Sequence, residues 1–446
     1  MQYTEIGQTW YKLSLIASHA KRDSKMQFTS LAHLLNEDYL EDCYRSLNRN
    51  KAVGIDKVSY EDYGRDLSEN LKELVLRLKR GSYKPKPARR VYIPKNDKEF
   101  RPLGISALEN KIVERGIATI LESIYEQDFL ECSYGFRPKR NAHQALKQLD
   151  NQIVFQPVNH IVEADIKGFF DNVSHDLLLD FIQIRIQDKS LVKLIEKFLK
   201  AGYIDAGLLV KSEKGTPQGS ILSPILANIF LHYVLDVWFE EMVKPKVAGF
   251  CEIIRYADDF VCLVQYEQDA KRIEKGLQNR FNKYELELHP EKSRNFSFGR
   301  FERKNSKIQN RKANTFDFLG FTHYCDKSRK GNFKLGRKTS RKKHVANCKE
   351  MNKWLKSIRN LLKMKYWWKI LKIKLLGHYQ YYGVSDNFRS IAKFYHGTLR
   401  QVHKWINRRS QKRKMNKTGF YKYLEHYPLP KPEIMHSLYM SDGYVS

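Results

Sequence analysis

An α+β fold followed by an all-helical basic region is the architecture this sequence predicts, and three observations carry it. Strand-length apolar runs alternate with stretches of helical periodicity through the first two thirds of the chain. After residue 300 the segments 341–363, 365–382 and 388–409 show helical spacing of Trp, Leu, Ile and Tyr. Charge is divided just as unequally: residues 1–300 hold 45 Lys and Arg against 42 Asp and Glu, whereas residues 301–446 hold 35 against 8, so +27 of the net +30 lies in the last third. Such asymmetry marks a surface for a polyanion, most simply nucleic acid.

The elements follow in order. The first fifty residues read as helical, with Phe28, Leu31, Leu34 and Leu35, then Leu40, Cys43 and Leu47, on apolar faces. A glycine-containing loop, Lys51–Asp56, precedes a helix over 60–79. Pro85, Pro87 and Pro94 frame a strand over 89–93. Residues 101–150 mix helix and loop, punctuated by Tyr134-Gly135-Phe136-Arg137-Pro138. A strand at 160–166, helices within 175–201, a short hairpin and a glycine-bearing turn at 215–219 come next. A long apolar helix over 220–243, a hairpin of the runs 251–255 and 260–264, and a helix over 268–284 complete the series, with helices expected on one face of the sheet. The three C-terminal segments make a basic bundle, whose Trp354, Trp367, Trp368, Tyr379, Tyr381, Tyr382 and Trp405 are expected in its core rather than as base-stacking platforms.

Several classes are excluded or bounded. No apolar run reaches the roughly 18 residues of a membrane span, and the first 18 residues are broken by Glu5 and Lys12, unlike a signal peptide. Six cysteines without a C-x-x-C pair argue against a zinc module and for a reduced, cytoplasmic setting. There is no internal repeat.

The chemistry gathers at hairpin and strand ends. Tyr256-Ala257-Asp258-Asp259 places two acids at a hairpin tip, and Asp165 ends the strand His160–Ile166. Side by side, these elements would converge three carboxylates on one point. Nucleotide polymerisation uses two divalent cations roughly 3.5–4 Å apart, and Mg²⁺ prefers hard oxygen ligands while keeping positions for water and phosphate. Asp165 and Asp258 are assigned as bridging ligands, Asp259 as supporting.

With those residues in view, the chain resembles the bacterial group II intron reverse transcriptases and maturases over about residues 28–440. Lys51-Ala-Val-Gly-Ile-Asp56 resembles their N-terminal extension loop. Arg90-Val-Tyr-Ile-Pro-Lys95 with Arg101-Pro-Leu-Gly104 resembles the fingers motif, and Ser133-Tyr-Gly-Phe-Arg-Pro138 is similar to another characteristic string. Ala164-Asp165-Ile-Lys-Gly-Phe-Phe-Asp171, Gly215-Thr-Pro-Gln-Gly-Ser220 and Tyr256-Ala-Asp-Asp259 are similar to the first catalytic, substrate-backing and second catalytic motifs. Phe316-Asp-Phe-Leu-Gly-Phe321 resembles the primer grip. Ser220 stands where the family commonly has a second glycine.

The resemblance implies a right-hand polymerase, with fingers and palm built on antiparallel sheet, followed by a helical thumb. Its expected divisions are an N-terminal extension at 1–50, fingers and palm at 51–325, a thumb or maturase domain at 326–425 and a tail at 426–446, with no endonuclease domain. It implies a metal-ligand set of Asp165, Ile166, Asp258 and Asp259 for two Mg²⁺ ions, with Mn²⁺ as a substitute. Lys95 and Arg101 would hold the triphosphate, Phe170 would crowd the nucleotide 2′ position, Gln218 would lie under base and sugar, and Lys292 would protonate pyrophosphate as a general acid. The expected partners are an RNA template, folded intron RNA, a DNA primer or target and deoxynucleotides, but no membrane; monomer and dimer both stay open. Two other readings are a stand-alone host-adopted reverse transcriptase in phage defence or repair and a non-catalytic splicing cofactor.

Overall fold

A computed structural model describes residues 8–94, 100–409 and 414–439. Among the described residues, eleven strands form three sheets. Strands β1 (Ala88–Pro94), β2 (Phe100–Ile105), β4 (Tyr203–Asp205) and β5 (Leu208–Val210) make a fingers sheet in the order β2-β1-β4-β5. The palm sheet has the order β6-β7-β3-β8, from β3 (His160–Asp165), β6 (Cys251–Tyr256), β7 (Asp259–Val264) and β8 (Arg294–Ser297), every pair antiparallel. A third sheet joins β9 (Thr315–Phe318), β10 (Phe321–Lys327) and β11 (Phe333–Thr339). Strand β10 runs through the expected 325/326 division, so this sheet carries the chain to Thr339 before the bundle begins.

The palm sheet is buried on both faces, not on one as the sequence pattern predicted. Val162, Ala164, Phe260, Cys262 and Val264 join the core shared with the fingers. Their neighbours Ile161, Val261 and Leu263 join a second core with helix Ala142–Phe155 and the bundle. The period of two that sends successive side chains to opposite faces explains why β7 reads as an unbroken apolar run.

The single helix expected over 60–79 is broken into a pair, whereas the helices expected within 175–201 are present as two. Residues 60–79 divide into Tyr60–Arg65 and Leu67–Lys79, and the Asn70 side-chain amide donates to the Tyr63 carbonyl at 2.9 Å, satisfying a group the break exposes. Residues 175–201 divide into His175–Gln183 and Lys189–Lys200. Asp188 caps the second by accepting from the N–H groups of Ser190 and Leu191 at 2.9 and 3.1 Å. Its other oxygen accepts from Leu31 and Ala32, which ties the N-terminal extension to the palm. The long apolar helix starts at Ser223 and passes into two π-helical stretches, His232–Asp236 and Phe239–Val243.

The bundle helices are Arg341–Ile358, Met364–Tyr382 and Phe388–Asn407, close to the predicted spans. Trp367, Trp368, Tyr379, Tyr382 and Trp405 are buried, while Trp354 and Tyr381 pack partly buried against the same core. Among the described residues no helix is long and apolar enough to cross a membrane.

Candidate active site

The register of the palm sheet sets Asp165 of β3 directly opposite Asp259 of β7, and Asp258 lies in the two-residue turn Ala257-Asp258 that joins β6 to β7. The turn is held by neighbours that carry no chemistry. Ala257 is in the left-handed region at φ 58, a conformation unfavourable for a residue with a Cβ. Gly135 lies so close that a Cβ there would stand 2.3 Å from the Ala257 nitrogen. Beneath the turn, the fully buried Arg255 pairs with the buried carboxylate of Asp236 and donates to Asn228 Oδ1 and the Ala257 carbonyl, both at 3.0 Å. Asn228 in turn donates to the Gly135 carbonyl at 2.8 Å. The loop bearing Gly135 pairs with β6 through Tyr134 N–H to Arg255 C=O and Arg255 N–H to Cys132 C=O, and Arg137 anchors it by gripping Glu126 and the carbonyls of Leu130 and Ser133.

In the sequence the string Ser133–Pro138 is a motif without a task, and Arg255, Asp236 and Asn228 are not among the residues expected at the site. A buried arginine inside an apolar strand was the available signal, because such a charge requires a partner.

Crowding and mutual repulsion govern the acids. Burial raises Asp258, and the charge of Asp165 adds to the rise. Asp259 keeps one face open to solvent, yet protein atoms crowd its remaining sides, and that desolvation followed by the charge of Asp258 pushes its carboxyl up to about 7. Lys292 supplies the counter-charge for Asp165, with Nζ 2.5 Å from Oδ2. Ile166, its side chain buried, pairs with Leu288 through bonds from His289 N–H to Asp165 C=O and from Lys167 N–H to Glu287 C=O, neither of which uses the Ile166 carbonyl.

Among the described residues no three His, Cys, Asp or Glu side chains stand in ready-made ligating geometry. The donor chemistry nevertheless fits a divalent cation of the kind reverse transcriptases use. Hard carboxylate oxygens face one another across a sheet, and their repulsion is what a divalent charge relieves.

Phe170 and Gln218 come together in a cavity of about 290 Å³ that is also lined by Arg90, Gly104 and Asp171. Backbone bonds fix its walls: Thr216 N–H donates to Phe170 C=O and Gly104 N–H to Gln218 C=O, both at 2.7 Å. Gly215, at φ 87, and Gly219, at φ 107, make these approaches possible, since a Cβ on either would meet a carbonyl oxygen within 2.8 Å. The fully buried Glu114 holds the far end of the loop by accepting from Ile221 N–H and Ser106 Oγ, each at 2.9 Å. Arg101 is exposed on β2 beside Pro102, which lines the cavity, and its charge favours the ionised forms of Asp171 and Asp258. Lys95 lies outside the described residues. Arg90, quoted only as part of a motif, stacks on the Tyr203 ring with its guanidinium carbon 3.4 Å from the centroid.

Residues 93–323 match the family model for reverse transcriptase (RNA-dependent DNA polymerase). The chain belongs to the reverse transcriptase family. The match covers β3, β6 and β7, the turn between β6 and β7 and the Phe316–Phe321 string. Among curated relatives of this reverse transcriptase, the group II intron-encoded protein LtrA of Lactococcus lactis subsp. cremoris is 41% identical over 222 residues, 49% of the chain and 37% of the relative. Protein YkfC of Escherichia coli K12 is 34% identical over 286 residues, 56% of the chain and 74% of the relative. A putative COX1/OXI3 intron 1 protein of Saccharomyces cerevisiae is 38% identical over 175 residues, 39% of the chain and 21% of the relative. The chain thus spans little more than a third of the LtrA protein it matches. The name of the Lactococcus relative agrees with the group II intron resemblance read from the motifs, and the yeast relative is likewise named for an intron.

Proposed function

We propose that this reverse transcriptase is an RNA-directed DNA polymerase that extends a DNA primer on an RNA template, and that its basic helical region also holds folded intron RNA in the manner of a maturase. The observation that carries the first part is the cross-strand pair Asp165 and Asp259, with Asp258 in the adjoining turn, on a palm sheet whose strand β3 is followed by the short helix bearing Phe170, which lines one cavity with Gln218. When bound, a pair of divalent ions, in our reading Mg²⁺ with Mn²⁺ as a substitute, activates the primer hydroxyl and neutralises the pyrophosphate. The residues that would hold them are Asp165, Asp258, Asp259 and the Ile166 carbonyl.

The remaining roles belong to this chain's own side chains. Arg101, with Lys95, steadies the deoxynucleotide triphosphate by charge. Phe170 closes the sugar side of the cavity, so a 2′-hydroxyl meets an apolar ring; Gln218 supports base and sugar. Lys292, held beside the acids by Asp165, is within the site as a proton donor for the leaving group.

The maturase part rests on the 35-to-8 excess of cations over anions in residues 301–446 and on the intron-encoded relatives. Folded RNA is recognised largely through shape and backbone, which a basic helical surface supplies without a sequence code. We divide the chain into an extension at 1–50, fingers and palm at 51–325, thumb at 326–425 and tail at 426–446, with the 325/326 boundary falling inside the third sheet, which ends at Thr339. The six free cysteines support a reducing, cytoplasmic setting.

Alanine at both Asp258 and Asp259 tests the polymerase reading. DNA synthesis on an RNA template is expected to fall by about a thousandfold or more while RNA affinity is kept, since hard-ion ligands are lost without any basic surface. Unchanged synthesis would show that the site lies elsewhere.

A further inference from the structure

The turn between β9 and β10 touches the catalytic hairpin on one side and the basic bundle on the other. Phe318 pairs with Phe321, leaving Leu319 and Gly320 as a two-residue loop in which both residues are left-handed, at φ 50 and φ 82. Left-handed Leu is strained, and such a conformation persists only where surrounding contacts over-determine it. Those contacts are visible. The Leu319 N–H faces the Asp259 carboxylate, near enough to favour its ionised form. The Leu319 carbonyl accepts from the Tyr381 hydroxyl at 2.9 Å.

Tyr381 belongs to the last turn of the bundle helix Met364–Tyr382, and it is itself braced. Its ring lies nearly parallel to Phe321, with centroids 6.0 Å apart and 20° between planes. His143 Nε2, on the palm helix, lies 2.9 Å from the Tyr381 carbonyl. The Tyr382 hydroxyl sits 3.4 Å from where a Cβ on Gly320 would be, so the helix end covers both residues of the turn. A run of contacts therefore leads from a bundle hydroxyl, through one strained residue, to an acid of the candidate site.

We infer that Tyr381 is a positioning residue for nucleotide addition: its hydroxyl fixes the Leu319-Gly320 turn, and the turn fixes the Asp259 carboxylate, so that the site is set only while the bundle helix is seated on the palm. The inference rests on the polymerase reading above. Its physical content is pre-organisation, because a carboxylate set against a rigid turn loses less freedom on taking a cation than one that swings.

Tyr381→Phe deletes the hydroxyl and keeps the ring stack. Leu319→Gly relaxes the turn from the other side without touching the bundle. Tyr421→Phe, on an exposed tyrosine of the helix Lys417–His426 that follows the bundle, is the control. Two readouts are taken on full-length protein: single-deoxynucleotide addition with kcat and KM separated, and Mn²⁺ affinity without nucleotide or nucleic acid, from the electron paramagnetic resonance of free Mn²⁺. Both test variants are expected to lose about tenfold in kcat with KM near wild type, and to bind Mn²⁺ several-fold more weakly, at an unchanged Tm. The control should match wild type in all three. Wild-type kcat and Mn²⁺ affinity in both variants would overturn the inference, as would loss of activity accompanied only by a lowered Tm. If wild type adds no nucleotide, the polymerase reading fails by itself, and the Mn²⁺ comparison still decides whether Tyr381 orders the acid.

Discussion

Gly135 shows at the scale of one residue how much of the site depends on groups that never meet substrate. A methyl group there would meet the Ala257 nitrogen at 2.3 Å and the Tyr256 carbonyl carbon at 2.9 Å, both main-chain atoms with little freedom to yield. Gly135→Ala therefore has to move the turn that carries Asp258. Overpacking of this kind costs about 1–3 kcal/mol, and we expect a Tm lowered by a few degrees with DNA synthesis down by roughly a hundredfold, since displacement of about 1 Å costs on that order. A variant that loses stability but keeps full activity would show the turn to be less sensitive than its contacts imply. Phe170 makes a sharper prediction because it faces the cavity with Gln218. Phe170→Ala should lower the preference for deoxynucleotides over ribonucleotides in kcat/KM by about tenfold or more, the order expected when one apolar contact that discriminates two substrates is removed. The three acids and Phe170 were legible in the sequence because their neighbours form strands and turns of recognisable pattern. The contacts of Gly135 were not, since an approach between loops more than a hundred residues apart leaves no local mark.

At the scale of elements, the third sheet carries a measurable pH response. His323 of β10 is fully buried, stacked on Phe316 with ring centroids 4.9 Å apart. Desolvation, then the neighbouring charge of Arg337, depress its imidazole to about 3. The ordinary histidine value is near 6.5, so the unfolded chain binds a proton between about pH 6.5 and 3 that the folded chain refuses. This term is absent above pH 6.5 and destabilises the fold increasingly as pH drops through that window. Wild type should lose up to about 2 kcal/mol relative to His323→Phe between pH 6.5 and pH 5, at about 1.4 kcal/mol for each unit. Denaturant unfolding at the two pH values measures it, and parallel shifts in both proteins would contradict the depressed imidazole.

Some elements were readable and others were not, for physical reasons. The bundle helices and the catalytic hairpin announce themselves because apolar residues recur with the right period. Strand β11 was hidden because Phe333–Thr339 reads as a basic loop, and its Arg337 becomes tolerable only when the fold delivers the buried Asp150 from 187 positions away. The π-helical stretch ending at Asp236 was likewise invisible, since its purpose lies in reaching Arg255 across the core.

The whole molecule divides its labour by charge. Residues 1–300 are close to neutral and carry the acids, and the remaining 146 carry +27. RNA binding should accordingly fall steeply with salt, because each neutralised phosphate releases counterions. Replacing the exposed Lys342, Lys353 and Lys369 by Gln should flatten the slope of log affinity against log salt by about 0.7–0.9 for each lysine that meets a phosphate. Tm should hardly change, as exposed side chains contribute little to stability. A slope equal to wild type would place the RNA on another face. This division was the most legible property of the chain, whereas the joining of bundle to palm through Tyr381 and the Leu319-Gly320 turn required coordinates.

The most direct test of the central claim is extension of a labelled DNA primer on an RNA template with Mg²⁺, run with deoxynucleotides or with ribonucleotides, for wild type and for Asp258→Ala/Asp259→Ala. The account predicts extension by wild type with deoxynucleotides, little with ribonucleotides, and none by the variant. Equal use of both nucleotide classes, or extension that survives loss of both acids, would contradict it.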